Sequence, residues 1–119
     1  MTQEKFQKII DDRLQFTKNL LLIKGKEYVR NNDPLHNFNK GSEITSKHKA
    51  EVLDGMMLKH YISYRDLLKD ISEYKFIKLD QVKEKIGDLI VYLCIQETIF
   101  EEYCNNQALK ELTEELENI

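Results

Sequence analysis

The chain has 119 residues, enough for one hydrophobic core and too few for a second independent one. Its formal charge of −3 and pI near 5.6 argue against a nucleic-acid grip, which normally needs a strongly basic face to displace phosphate counterions. No stretch approaches the roughly 20 apolar residues that span a bilayer, so neither a nucleic-acid nor a membrane partner is expected.

The N-terminal MTQEKFQKII is charged and amphipathic, without the apolar run of a secretory signal. Cys94 and Cys104 fall on one expected helix, about 15 Å apart at 1.5 Å per residue, too far to pair. A reduced, cytoplasmic setting is the expectation.

One proline and four glycines leave long segments without breakers, the composition of an all-α helical bundle within a single domain, 1–119. A first helix is predicted from Gln3 to Lys24, with Phe6, Ile9, Ile10, Arg13, Phe16, Leu20 and Leu21 spaced at three and four and Gly25 ending it. GKEYVRNNDPLHNFNKGSEIT follows as a loop of about 20 residues without a clear period, and loops this long inside a compact domain are often functional. Within it Lys26, Tyr28, Arg30, Asn37, Phe38 and Lys40 offer cations for phosphate, aromatic surface for a base and an amide for its edge. Any solvated loop could carry a similar set.

A second helix is predicted from an N-cap at Thr45 or Ser46 to about Asp70. At 100° per residue, Leu53, Met57, His60, Tyr61, Tyr64, Leu68 and Ile71 share one face, and Val52, Gly55, Met56, Lys59, Ile62, Ser63 and Asp66 the other. Lys59, Ser63 and Asp66 could present a cation, a hydroxyl and a carboxylate to one site, or meet neighbours across a helix pair. His60 reads as a hydrogen-bonded core or interface residue. His36 and His48 have no cysteine or histidine partner at zinc spacing.

Asp80 is the predicted N-cap of a third helix, Gln81 to Cys104, with Val82, Ile86, Leu89, Ile90, Leu93 and Phe100 on one apolar face and Val91, Tyr92, Ile95 and Ile99 on another. A helix apolar on two sides lies centrally or at a subunit interface, and with three long helices to cover it an oligomer, dimer or tetramer, is expected. Glu84 and Asp88, four apart, stand on the stripe of Val91, Tyr92, Ile95 and Ile99. A carboxylate there needs a cation, a donor or a metal, and two carboxylates one turn apart can hold Mg²⁺. The alternative is that both pair with lysines of another helix or lie at the exposed end. NNQALKELTEELENI is predicted as a short, separate C-terminal helix for a surface or a partner. No GxxxxGK[ST] or GxGxxG motif and no nucleophilic triad occurs; Cys94 reads as packing.

KGKEY, DPLHNF, GMMLKHYISYRDLL and EKIGDLIVYL, in that order, resemble small phage-type proteins of the nucleotide-modification-associated domain, grouped with the all-α MazG-like nucleotide pyrophosphohydrolases. The resemblance covers about Lys24 to Glu101. It implies an oligomeric helical bundle with a nucleotide site between helices, where acidic pairs hold Mg²⁺ and water attacks between the α- and β-phosphates. Carried onto this chain, Asp66, Glu84 and Asp88 would be the catalytic and metal-holding carboxylates. Lys26, Tyr28, Arg30, Asn37, Phe38, Lys59, His60, Ser63 and Tyr92 would contact the ligand, with Lys59 and Arg30 on phosphate and Phe38 or Tyr28 on the base. Three departures stand out. Glu84 and Asp88 are four apart where the familiar motif has three, the first acidic pair has only Glu51 and Asp54 as a local counterpart, and an asparagine expected near Val91 is absent. Two further readings stay open: a non-catalytic phage protein that sequesters a nucleotide defence signal, and a structural helical adaptor.

Overall fold

The computed structural model describes the backbone of residues 1–28, 30 and 32–119, and the side chains of 1–23, 30 and 32–119. Four helices follow one another: α1 (Gln3–Tyr28), α2 (His36–Thr45), α3 (Lys49–Ser72) and α4 (Leu79–Glu117). The described residues contain no strand, only an isolated bridge between Arg30 and Asp33. None of their helices is long and apolar enough to cross a membrane.

The all-α expectation holds, with four corrections to the elements, the first being that α4 starts at Leu79 from an N-cap at Lys78, so Asp80 stands in its first turn and is not the cap. Gly25 does not end the first helix, which runs on to Tyr28. The expected loop contains α2, and Ser46 is the left-handed C-cap of α2 (φ 57°) instead of the N-cap of α3. That N-cap is His48, whose Nδ1 accepts from the Ala50 amide at 3.0 Å. The C-terminal segment is not a separate helix but the continuation of α4, 39 residues long.

Asp33 starts α2 through its side chain. Its Oδ1 accepts from the Leu35 amide at 2.9 Å and its Oδ2 from the Asn39 side chain at 2.7 Å, in an Asx-type turn that directs Leu35 and Phe38 inward. These two meet Leu53 of α3 and Ile99 of α4, and Val52, Met57, Tyr92 and Ile95 pack around them. Leu53 and Ile99 are fully buried. Gln96 of α4 donates to the Ala50 carbonyl at 2.9 Å, and Lys49 pairs with Glu102, fastening the start of α3 along α4.

The other flank of α4 holds α1. Gly87 is buried where Arg13 crosses it, and the guanidinium donates to the Lys83 carbonyl at 2.7 Å. A polar residue in the apolar stripe of α1 therefore lands on α4 backbone.

The radius of gyration is 18.9 Å, against about 13.5 Å for a compact chain of this length. The accessible surface is 9799 Å², about 3,000 Å² more than the roughly 6,800 Å² of a compact monomer of this mass. A chain with these helices is elongated, 65 × 35 × 28 Å, because α4 outruns its partners: every residue from 101 to 119 is exposed.

A Cβ at Gly41 would stand 2.7 Å from Cγ1 of Val52, a β-branched side chain with little freedom to turn away. Gly41→Ala is expected to lower stability by about 1–3 kcal/mol despite the better helix propensity of alanine. Adding Val52→Ala should return part of that loss, as read from urea unfolding midpoints.

The two hydrogen bonds on Asp33 hold its carboxyl below the usual carboxylate range, the Leu35 amide first and the Asn39 amide second. A lowered folded pKa contributes stability above the unfolded value, and that stability is lost as pH falls through the folded one. Asp33→Asn should therefore be less stable than the native chain at neutral pH, and the gap should close as pH falls below the usual carboxylate range, measured by thermal unfolding across the range.

Candidate functional site

Antiparallel packing of α3 on α4 brings together residues from two distant segments. Lys59, His60 and Ser63 of α3 and Gln81, Glu84, Lys85 and Asp88 of α4 line one open groove of about 360 Å³. His60 Nδ1 lies 3.3 Å from Asp88 Oδ2, and the imidazole is tilted over the Tyr92 ring with centroids 5.0 Å apart. Asp88 and His60 are both about one-third exposed or less, so each is oriented by the other while one edge faces the groove. Glu84 is exposed and has no ion pair among the described residues.

Five of the expected residues thus converge, Lys59, His60, Ser63, Glu84 and Asp88, with Tyr92 joined to them through His60. His60 shares the groove with Lys59, although the helical pattern puts them on different faces: neighbours 100° apart at the edge of a helix both reach the same groove. The carboxylate of Asp88 is met by histidine and not by a lysine of another helix.

The other expected residues lie elsewhere. Asp66 is exposed and does not line the groove. Phe38 is buried in the core against Leu35, Leu53 and Ile99, its ring committed to packing. Asn37 and Arg30 are exposed outside both grooves on α4, and the Lys26 and Tyr28 side chains fall outside the described residues. Among the described residues no three or more His, Cys, Asp or Glu side chains are placed to hold a metal ion.

Gln81 and Lys85 were not singled out from the sequence, although with Asp88 they follow the i, i+4, i+7 stripe of one helix face. Lys85 is the more consequential, since it puts a second cation beside Lys59.

A larger groove of about 650 Å³ lies on the other side of Glu84 and Asp88, between α1 and α4. Ile9, Phe16 and Leu20 form its apolar floor, and Asp12, Asp80 and Arg13 stand around it. The Arg13 guanidinium is 5.8 Å from the Phe16 ring centroid, a cation–π contact that helps hold it across α4. Glu84 and Asp88 therefore form a ridge between two grooves.

The chain matches no family model, no curated protein and no solved structure. The two grooves on α4 are thus what there is to define the class of protein: an all-helical chain with a mixed-charge cleft between antiparallel helices.

A Cβ at Gly87 would stand 2.6 Å from the Arg13 Nη1, the far end of a flexible side chain. Gly87→Ala should gain about 1 kcal/mol of helix propensity only where Arg13 is absent. A double-mutant cycle with Arg13→Ala, read from unfolding midpoints, is expected to show Gly87→Ala more stabilising in the Arg13→Ala background than in the native one.

Proposed function

We propose that the chain is a nucleotide-binding helical protein of MazG-like type, working as a homo-oligomer, with the phosphates received in the α3–α4 groove. The observation that carries this reading is the juxtaposition of Lys59 and Lys85 with His60, Ser63, Gln81, Glu84 and Asp88 in one cleft. Two ammonium groups offset phosphate charge, and a hydroxyl and an amide supply directed hydrogen bonds. The open side of the cleft leaves room for a base and sugar, which the phosphate contacts alone do not select.

A pyrophosphohydrolase would bring Mg²⁺ here, and Glu84 and Asp88 are the residues to hold it. Two carboxylates suit that ion when the nucleotide phosphates and water supply its other oxygens, as hard, octahedral Mg²⁺ prefers. Bound so, the ion would neutralise charge building on the phosphate oxygens. His60, fixed by Asp88 and Tyr92, is positioned to donate or accept a proton at Nε2. Lys59 and Lys85 would align the phosphates for attack by water.

One observation favours a second reading, in which the protein holds a nucleotide without cleaving it. Asp66 does not line the cleft, so two carboxylates stand where a hydrolase site expects more. Sequestration needs only the cations, donors and closure.

Incubation with a nucleotide panel and Mg²⁺, followed by denaturation and mass spectrometry, separates the readings. Monophosphate and pyrophosphate mean hydrolysis, and intact nucleotide released on unfolding means sequestration. Absence of retention and of turnover would sink both. Lys59→Ala and Lys85→Ala should each weaken binding by roughly ten-fold, as expected for loss of one charge-assisted contact. Asp88→Asn should abolish turnover while sparing most of the binding if the carboxylate holds the ion.

A further inference from the structure

The middle of α4, Leu89 to Gln96, carries no charge on any side. Its flank at Gly87 is taken by α1, and its flank at Tyr92, Ile95 and Ile99 by α2 and α3. A third flank remains, about 100° further round. Val82, Ile86, Leu89, Leu93 and Phe100 follow one another along it at intervals of four, three, four and seven, with Gln96, turned to the Ala50 carbonyl, between the last two. This is a heptad seam of more than two repeats, the pattern by which one helix packs along another. Leu93 is 56% exposed and Phe100 55%, while Val82, Ile86 and Leu89 are half-buried.

We infer that this seam is where a second copy of the chain docks, α4 against α4 and antiparallel, with the two-fold axis beside Leu93. Three observations point to a second copy. The chain exposes about 3,000 Å² more than a compact monomer would, part of it on the 101–119 extension of α4, and an obligate dimer buries roughly 1,000–2,500 Å² of each copy. About Leu93 the seam sets Ile86 of one copy against Phe100 of the other, seven residues to either side, as a two-fold interface allows. The charges agree with antiparallel packing: the axis at Leu93 sets exposed Lys83 of each copy along the flank that holds exposed Glu97 and Glu101 of the other. A parallel pair would instead set this flank against the opposite flank of the partner and part these groups from one another.

The inference gives the oligomer of the proposed function its surface and the relative direction of its helices, and it is independent of what the cleft binds. It leaves the α3–α4 cleft open, because His60 and Asp88 meet on a different flank of α4 from the seam.

Sedimentation of the native chain at about 10 µM, a concentration at which an obligate dimer stays associated, should give twice the 14.2 kDa chain mass. Leu93→Glu should give a helical monomer by circular dichroism, whereas Leu112→Glu, outside the seam, should leave the dimer intact. In a background lacking both native cysteines, Leu93→Cys should form a disulfide between copies on mild oxidation. Phe100→Cys should not, since the two copies of residue 100 would stand about 21 Å apart in the antiparallel register. A native monomer would overturn the assembly altogether. A dimer indifferent to Leu93→Glu would overturn this surface alone, and ready Phe100→Cys cross-linking would overturn the antiparallel arrangement. Each result is read without nucleotide, so it stands apart from success or failure of the binding reading.

Discussion

An uncharged helical segment in water must be covered, and in this protein that requirement falls on the middle of α4. From Leu89 to Gln96 every side chain is apolar or uncharged, so each flank left to solvent forfeits roughly 25 cal/mol for every square ångström of apolar surface. α2 and α3 cover one flank through Leu35, Phe38 and Leu53, which meet Ile99 of α4. α1 covers another by laying Arg13 across Gly87. The elongated outline, the small central core and the exposed seam of Leu93 and Phe100 all follow from a helix longer and more apolar than its own chain can wrap.

The same arrangement sets the chemistry. Because α3 runs antiparallel along α4, the Lys59–Ser63 turn falls beside the Gln81–Asp88 turns, and a cleft forms where their polar groups meet. His60 reaches Asp88 across that junction and rests against Tyr92 one turn on, so the imidazole is held by both a carboxylate and an aromatic ring. Glu84 and Asp88 also face the α1–α4 groove, whose apolar floor of Ile9, Phe16 and Leu20 is unlike the polar α3–α4 cleft. Any movement of α1 against α4 would alter the surroundings of those two carboxylates directly. That couples α1 to the candidate site.

The helical reading failed where local energies are small. Asn105 and Asn106 look like an interruption, yet each costs a helix well under 1 kcal/mol, and α4 passes through them to Glu117. α2 was hidden for the opposite reason. Ten residues are too few for an apolar period to declare itself, and its start depends on Asp33 binding Leu35 and Asn39, a turn written in side-chain hydrogen bonds. Phe38 shows the consequence: in a loop it could meet a base, but on a helix started by Asp33 it is carried into the core.

Composition and spacing alone determined that the chain is all-helical, that α3 and α4 are its long apolar elements, and that Glu84 and Asp88 share a stripe, because the 3.6-residue repeat is a local property. Only tertiary packing decided that Lys59, His60 and Ser63 meet that stripe while Asp66 stays outside, and that Gln81 and Lys85 join it. Periodicity gives the angle of a residue about its own axis; it carries neither the crossing nor the register of the neighbouring helix, and a cleft exists only where those two are set.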